Sequence, residues 1–415
     1  MTSRPASQPL PGAGSTVLPQ PQRVVIVLAV AALLGMAGHI FTDTGWRLAT
    51  LWLIGAGLGF ALYHAAFGFT GAYRVLITRG KSASVRAQML MLAVAVLIFF
   101  PAIEAGSVFG NPVRGFVFPA GWEVAIGAFL FGIGMQLGGG CASGTLYTSG
   151  GGDTRSMITL FFFIVGMTIG AWDIERWEAL PALPPISLPE TLGMWPALAL
   201  QLALFAAIAF AVARRERRLH GHVEPIFTRH PRNFLTGPWP FAWAALALAL
   251  LNAATLVVAG RPWAITQSFA TWGSLVVDHL HIDDPFFWVY WDEPTRVDLL
   301  HRPLMLDAMT LMNVSLVLGA FLAAGLAGRF RPGWRIGIGP LAAAIIGGLL
   351  LGYGARMALG CNISAFFSGV ASGSLHGWIW IIAALPGTWL GTKLRPLFAL
   401  DPKSSEESHK TPIRM

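Results

Sequence analysis

With 415 residues, 55% hydrophobic and only 12% charged, the chain has too little charge to cover a water-soluble protein of this size, which points to the membrane. Its net charge of +8 does not mark a nucleic-acid binder, because Lys and Arg gather in short loops between apolar runs, where they report orientation in the bilayer. Its two cysteines lie far apart and outside any CxxC pair, which argues against a disulfide framework, redox exchange and zinc binding.

Residues 1–23, rich in Pro, Ser and Gly near their start, read as a disordered tail without the pattern of a signal peptide. A helix that crosses the hydrocarbon needs about 20 mostly apolar residues. Ten runs qualify: 24–41, 47–66, 86–105, 121–139, 156–173, 194–213, 240–259, 303–327, 336–358 and 375–394. Arg74, Arg79, Lys81 and Arg86 follow the second run, Arg214, Arg215, Arg217 and Arg218 the sixth, and Arg329, Arg331 and Arg335 the eighth. Lys393 and Arg395 close the tenth, so an even number of spans puts all of these, and both termini, in the cytoplasm. The opposite loops are acidic, with Asp173, Glu175, Glu178 and Glu190 in one and Asp278, Asp283, Asp284, Asp292 and Glu293 in another.

Around each cysteine the chain repeats itself. Gly132-Ile-Gly134-Met-Gln-Leu-Gly-Gly-Gly140-Cys141 matches Gly352-Tyr-Gly354-Ala-Arg356-Met-Ala-Leu-Gly360-Cys361. The first run enters from outside and the second from inside, which predicts an inverted repeat. The expected division is a first membrane half at 24–213, a cytoplasmic linker at 214–237, a second half at 238–396 and a polar C-terminal tail at 397–415. Gly- or Pro-broken segments after the second and seventh runs, with those after each cysteine, predict four short re-entrant helices near 69–79, 142–149, 264–275 and 362–370. Irregular backbone at membrane depth must be buried in protein or line a cavity, so four such breaks imply a narrow central pathway. The fold class is an all-α polytopic membrane protein of about ten transmembrane helices plus short re-entrant ones.

A helix beginning just after Cys141 or Cys361 leaves its first N–H groups without intrahelical partners, and these favour an anion. Ser143, Thr145, Thr148 and Ser149 add hydroxyls in the first copy, and Asn362, Ser364 and Ser368 add polar groups in the second. Gly138, Gly139 and Gly140 before Cys141, and Gly360 before Cys361, let backbone approach a ligand closely, and Gly144 is a further pathway candidate. A neutral thiol is a weak donor with a polarizable sulfur, suited to a large, soft, sulfur-bearing anion. Close helix packing is the competing use of such Gly-rich segments, and only the matching of the two copies weighs against it. Arg356, inside the ninth run, is a functional candidate by its cost alone, with a structural pairing to Asp307 as the alternative. Arg74 and Arg261 are placed to attract anions at opposite mouths or to anchor the interface. His64, His376 and tryptophans such as Trp263, Trp288 and Trp291 read as interfacial residues. No Walker pattern, HExxH or paired intramembrane carboxylate is present, so energy coupling leaves no trace.

Together with Arg261-Pro262-Trp263, the two Gly/Cys motifs resemble the YeeE/YedE membrane proteins, the sulfur-transport family, over roughly residues 45–395. The resemblance implies an hourglass-shaped inner-membrane protein that takes up thiosulfate, its cysteines passing the anion along through S–H hydrogen bonds. By position Cys141 and Cys361 match two of these relay cysteines, and Thr70 and Thr266 fall in the broken segments of the pathway. A third is expected in a Phe-Cys-Phe pattern, where this chain has Phe67-Gly68-Phe69. Either two thiols suffice or another sulfur or selenium species is carried. The resemblance also admits a small cytoplasmic sulfur-carrier protein as partner; no cofactor, metal or enzymatic activity is expected. Two other readings stay open: a membrane sulfur-transfer protein carrying persulfide on its thiols, and a structural subunit in which both motifs only pack.

Overall fold

The computed structural model describes residues 20–228 and 234–401. The greater part of each expected tail (1–19 and 402–415), and 229–233 of the expected linker, lie outside the described residues. All ten apolar runs are helical: α1 (Arg23–Thr44), α2 (Trp46–Ala65), then the short α3 (Phe69–Arg79), α4 (Ala83–Glu104), α5 (Trp122–Gly138), the short α6 (Ala142–Gly150), α7 (Thr154–Trp172) and α8 (Met194–His220). The second half repeats the pattern with α9 (Phe241–Ala259), the shorter α10 (Ile265–His279), α11 (Ala308–Leu326), α12 (Ile338–Met357), the short π-helical α13 (Asn362–Ser368) and α14 (Leu375–Leu394). Among the described residues nine helical stretches are long and apolar enough to cross a membrane; α14 is as long as most but less apolar, carrying His376, Trp378, Trp380 and Trp389. The only sheets among the described residues are two-stranded, Ser107–Val108 with Asn111–Pro112 and Ala120–Gly121 with Ala182–Leu183.

Helix ends follow local chemistry. Asp153 caps α7 by accepting from the Ser156 N–H at 3.1 Å. Asp307 caps α11 by accepting from the Thr310 N–H at 2.8 Å, which moves the start of this span from the expected 303 to Ala308. The helix α8 runs through the basic cluster to His220, where Glu216 accepts from the Ser82 backbone N–H at 3.2 Å and pairs with Arg86 at 3.7 Å. The charged end of α8 is thereby tied to the turn between α3 and α4.

The helices that carry the matching motifs run antiparallel against each other. A Cβ on Gly127 of α5 would strike the Gly354 carbonyl of α12, and one on Gly134 would strike the Gly347 carbonyl. Gly127 and Gly347 occupy equivalent places in the two motif-bearing helices, as do Gly134 and Gly354, so the two contacts are one contact exchanged. The same exchange relates Gly132, which lies against Ala384 and Gly387 of α14, to Gly352, which lies against Phe163 and Gly166 of α7. Element pairings follow suit: α5 packs on α14 as α12 packs on α7, and α2 packs on α11 as α9 packs on α4. Equivalent helices packed antiparallel are related by an axis across their length, which is the inverted repeat. In lipid, where apolar burial favours no helix pair over another, close backbone approach at small residues is what binds helices together.

This seam has a direct test. Leucine at Gly347 would overlap the backbone of Gly138, so Gly347→Leu should cost about 1–3 kcal/mol or block folding outright. Gly35 lies on the exposed face of α1, where an added Cβ would meet no atom within 4 Å, and should accept leucine with little change. Thermal unfolding of the detergent-purified variants measures both, and equal melting temperatures would contradict the seam.

Candidate functional site

Each motif helix is broken by left-handed backbone. Gly139 (φ +92°) ends α5, and Leu359 (φ +58°) with Gly360 (φ +145°) ends α12. A leucine takes that conformation only where its surroundings impose it, and such positions gather at functional sites. The chain then turns inward, so that Cys141 becomes the N-cap residue of α6 and Cys361 that of α13. Both thiols are free and buried, at 1% and 0% exposure, and Cys361 lies within coulombic range of Cys141.

Their local partners differ. The Sγ of Cys141 sits 3.3 Å from the Ser143 hydroxyl, and the Thr145 hydroxyl donates to the Cys141 carbonyl at 2.8 Å. No side chain forms a capping hydrogen bond at the start of α6, where the Ser143 and Gly144 N–H groups lie beside the Cys141 sulfur. At the second site the Ile363 N–H donates to the Cys361 Sγ at 3.4 Å, while the Cys361 N–H donates to the Ser364 hydroxyl at 3.1 Å.

Two cavities flank this pair. The first, of about 380 Å³ at the C-terminal end of α5, is lined by Gly68, Thr70, Gly140, Cys141, Gly144 and Tyr147, with Arg74, Lys81 and Glu224 also on its wall. The second, of about 210 Å³ at the C-terminal end of α12, is lined by Thr266, Gly360, Ser364 and Arg356, with Arg261, Tyr290, Glu293 and Arg296. Because α5 and α12 are antiparallel, the cavities open toward opposite ends of the bundle. Cys361 and Asn362 line neither and belong to the layer between them. There the Phe69 and Phe366 rings approach edge to face at 6.3 Å, and on the adjoining wall of the second cavity the Thr266 hydroxyl lies 3.2 Å from that of Ser364. The side chains of Asn362 and Tyr73 face each other in this layer, both buried, and neither makes a well-formed hydrogen bond. Gln136 donates to the Thr70 carbonyl at 3.1 Å, while its own oxygen and the Thr70 hydroxyl go unpartnered. Buried polar groups left open in this way are costly, and their clustering marks a place where a polar guest completes them.

The structure thus sorts the expected residues into two cavity walls and a central layer, and places some differently from expectation. Arg356 does not meet Asp307, whose carboxylate is spent on the α11 cap; its guanidinium lies over the Tyr290 ring, 4.0 Å from the centroid. Trp263, Trp288 and Trp291, expected at the membrane interface, are buried. The Trp288 indole donates to Asp283 at 3.0 Å and that of Trp291 to Ser274 at 3.1 Å, so protein satisfies them instead of lipid headgroups. His64 and His376 are also interior: His64 stacks on Trp239, and His376 shares a 2.6 Å hydrogen bond with Ser374. Sequence reasoning missed Tyr73, Tyr147 and Tyr290. Tyr73 follows Thr70 by three residues on the same short helix, a spacing that signals a shared face. At Gly68 a Cβ would meet only the Tyr147 hydroxyl, at 3.5 Å, so packing does not forbid a thiol there.

A family model described as sulphur transport matches residues 64–390. The chain is 33% identical over 184 residues to the "Probable transporter YedE" of Escherichia coli, a match that spans 42% of this chain and 43% of that protein's length. It is 25% identical over 355 residues to the thiosulfate transporter TsuA of Escherichia coli, covering 82% of this chain and 93% of that one. To the thiosulfate transporter TsuA of Spirochaeta thermophila it is 28% identical over 368 residues, covering 81% and 96%.

Placement on the cavity wall predicts unequal thiol reactivity. A small polar thiol reagent should modify Cys141 through the first cavity well before Cys361, which lines neither cavity. Mass spectrometry of the labelled protein resolves the two sites, and faster labelling of Cys361 would contradict the geometry.

Proposed function

The chain belongs to the sulphur transport family, and from that premise we propose that it carries an inorganic sulfur-bearing anion, thiosulfate foremost, from the second cavity to the first past Cys361 and Cys141. One observation carries this reading: two buried thiols stand near each other between cavities that open at opposite ends of an inverted repeat. The TsuA proteins of both organisms are named for thiosulfate, which supports the substrate class.

In this mechanism no covalent bond forms or breaks. The anion leaves the Arg356 end and meets the Thr266 and Ser364 hydroxyls, then the Cys361 thiol and the Asn362 amide in the central layer. Tyr73 and Cys141 receive it next, where the uncapped N–H groups of α6 add the positive end of a helix dipole. Weak S–H donors hold a soft anion without a permanent ion pair, so each site releases what it binds. Tyr147 supplies the polar group beside Gly68, where the resemblance calls for a third thiol. Positive-inside reasoning assigns the first cavity, with Arg74 and Lys81, to the cytoplasmic face of an inner membrane. A small sulfur-carrier protein would meet the chain on that face.

Uptake of labelled thiosulfate into proteoliposomes tests the reading. Cys141→Ala and Cys361→Ala should each lower the rate at least about tenfold with the fold intact, since a buried thiol packs as a small apolar group. Undiminished uptake by the double variant would rule out the relay. Competition by sulfate, sulfite and selenite grades the substrate, and selenite competing better than thiosulfate would move the assignment to selenium.

A further inference from the structure

We propose that the second cavity is a built binding site for a divalent tetrahedral oxyanion, held by Arg356 and Arg261 and positioned by Tyr290. The inference rests on the proposed function for its ligand class and is tested by a separate measurement.

Arg356 lies in the last turn of α12 with 7% of its surface exposed. A guanidinium so deep in a membrane protein is expensive unless paired. Among the described residues no carboxylate lies within ion-pairing distance of it, and its Nε has no hydrogen-bond partner. The partner it does have is the Tyr290 ring, itself buried, at 4.0 Å. Stacking on an aromatic face fixes the guanidinium plane and leaves its N–H edge to face a ligand. Arg296 approaches the same ring at 4.9 Å, but it is neutralised by Glu293 at 2.8 Å and donates to the Tyr290 carbonyl at 3.3 Å. It therefore holds the tyrosine in place. Arg261 donates to Gln267 at 2.7 Å from the other side of the cavity, with Asp307 in its wider field.

The charge count decides the ligand. Three arginines and one glutamate line the cavity, an excess of two positive charges. Glu123 and Glu178 line the neighbouring cavity beside Arg356; neither is ion-paired with it, and Glu178 lies in its wider field. Two guanidinium groups without an ion-paired carboxylate and the Thr266 and Ser364 hydroxyls line a space of about 210 Å³, which admits a small hydrated dianion. Phe116, Phe118 and Met167 form the apolar side of the same space.

Calorimetric titration of the detergent-purified full chain with thiosulfate, sulfate and nitrate tests this. Both dianions should bind and nitrate should bind at least tenfold more weakly. Arg356→Gln should weaken dianion binding at least tenfold, and Arg356→Lys should not restore it. If Arg356→Gln fails to fold, Arg261→Gln and Tyr290→Leu, chosen for unchanged thermal unfolding, carry the same expectation. Undiminished dianion binding in these folded variants, or no preference over nitrate, would overturn the site. Arginine-dependent dianion binding without thiosulfate uptake would instead sink the transport reading and leave this site standing.

Discussion

The close antiparallel contact of α5 and α12 is the constraint on which the rest of the molecule depends. Glycines at exchanged positions let the two backbones meet where any Cβ would collide. Membrane helices gain little from burying apolar surface against one another, so the tightness of that contact substitutes for a hydrophobic core. Because the helices point in opposite directions, their C-terminal ends lie toward opposite ends of the bundle. Each end carries the same Gly-Cys break, so the fold delivers one thiol from either side toward a common centre.

The breaks themselves turn a packing solution into a chemical one. Left-handed residues at Gly139, Leu359 and Gly360 stop the helices short, and the chain re-enters as helices of nine and seven residues. Nine residues reach only about 14 Å, less than half the hydrocarbon thickness, so their ends remain inside the protein. Polar groups released there are tolerated because protein, not lipid, surrounds them. Asn362 and Tyr73 keep hydrogen-bonding capacity unspent in this layer, as Thr70 and Gln136 do beside the first cavity, while Phe69 and Phe366 narrow it. The central layer is thus both closed and polar, a combination that suits passage of a desolvated anion.

Much of the architecture was legible in the residues. Apolar runs of helical length, the Gly-Cys repeat and the breaks at Gly68 and near Trp263 located every long helix and the short ones that follow Gly68, Cys141, Trp263 and Cys361, since length, hydropathy and glycine act locally. Polar side chains were harder to read. Trp288 and Trp291 look like interfacial anchors in sequence, yet Asp283 and Ser274 satisfy their indoles inside the fold. Asp307 looks like a counterion for Arg356 but spends its carboxylate on a helix end. Tyr290 sits in an acidic loop with nothing to distinguish it, and its importance arises from which arginines the fold brings onto its faces.

Those contrasts separate two kinds of information. Hydropathy, glycine placement and a duplicated motif are properties of neighbouring residues, so the linear chain already specified a polytopic helical membrane protein with two thiols at mirrored helix ends. Which polar groups meet, and which stay unpaired, depends on contacts between residues hundreds of positions apart. Opposed cavities, the Tyr73–Asn362 layer between the thiols and the Tyr290-stacked arginines came into being only when the two halves packed, because burial and partnership are set by the whole fold.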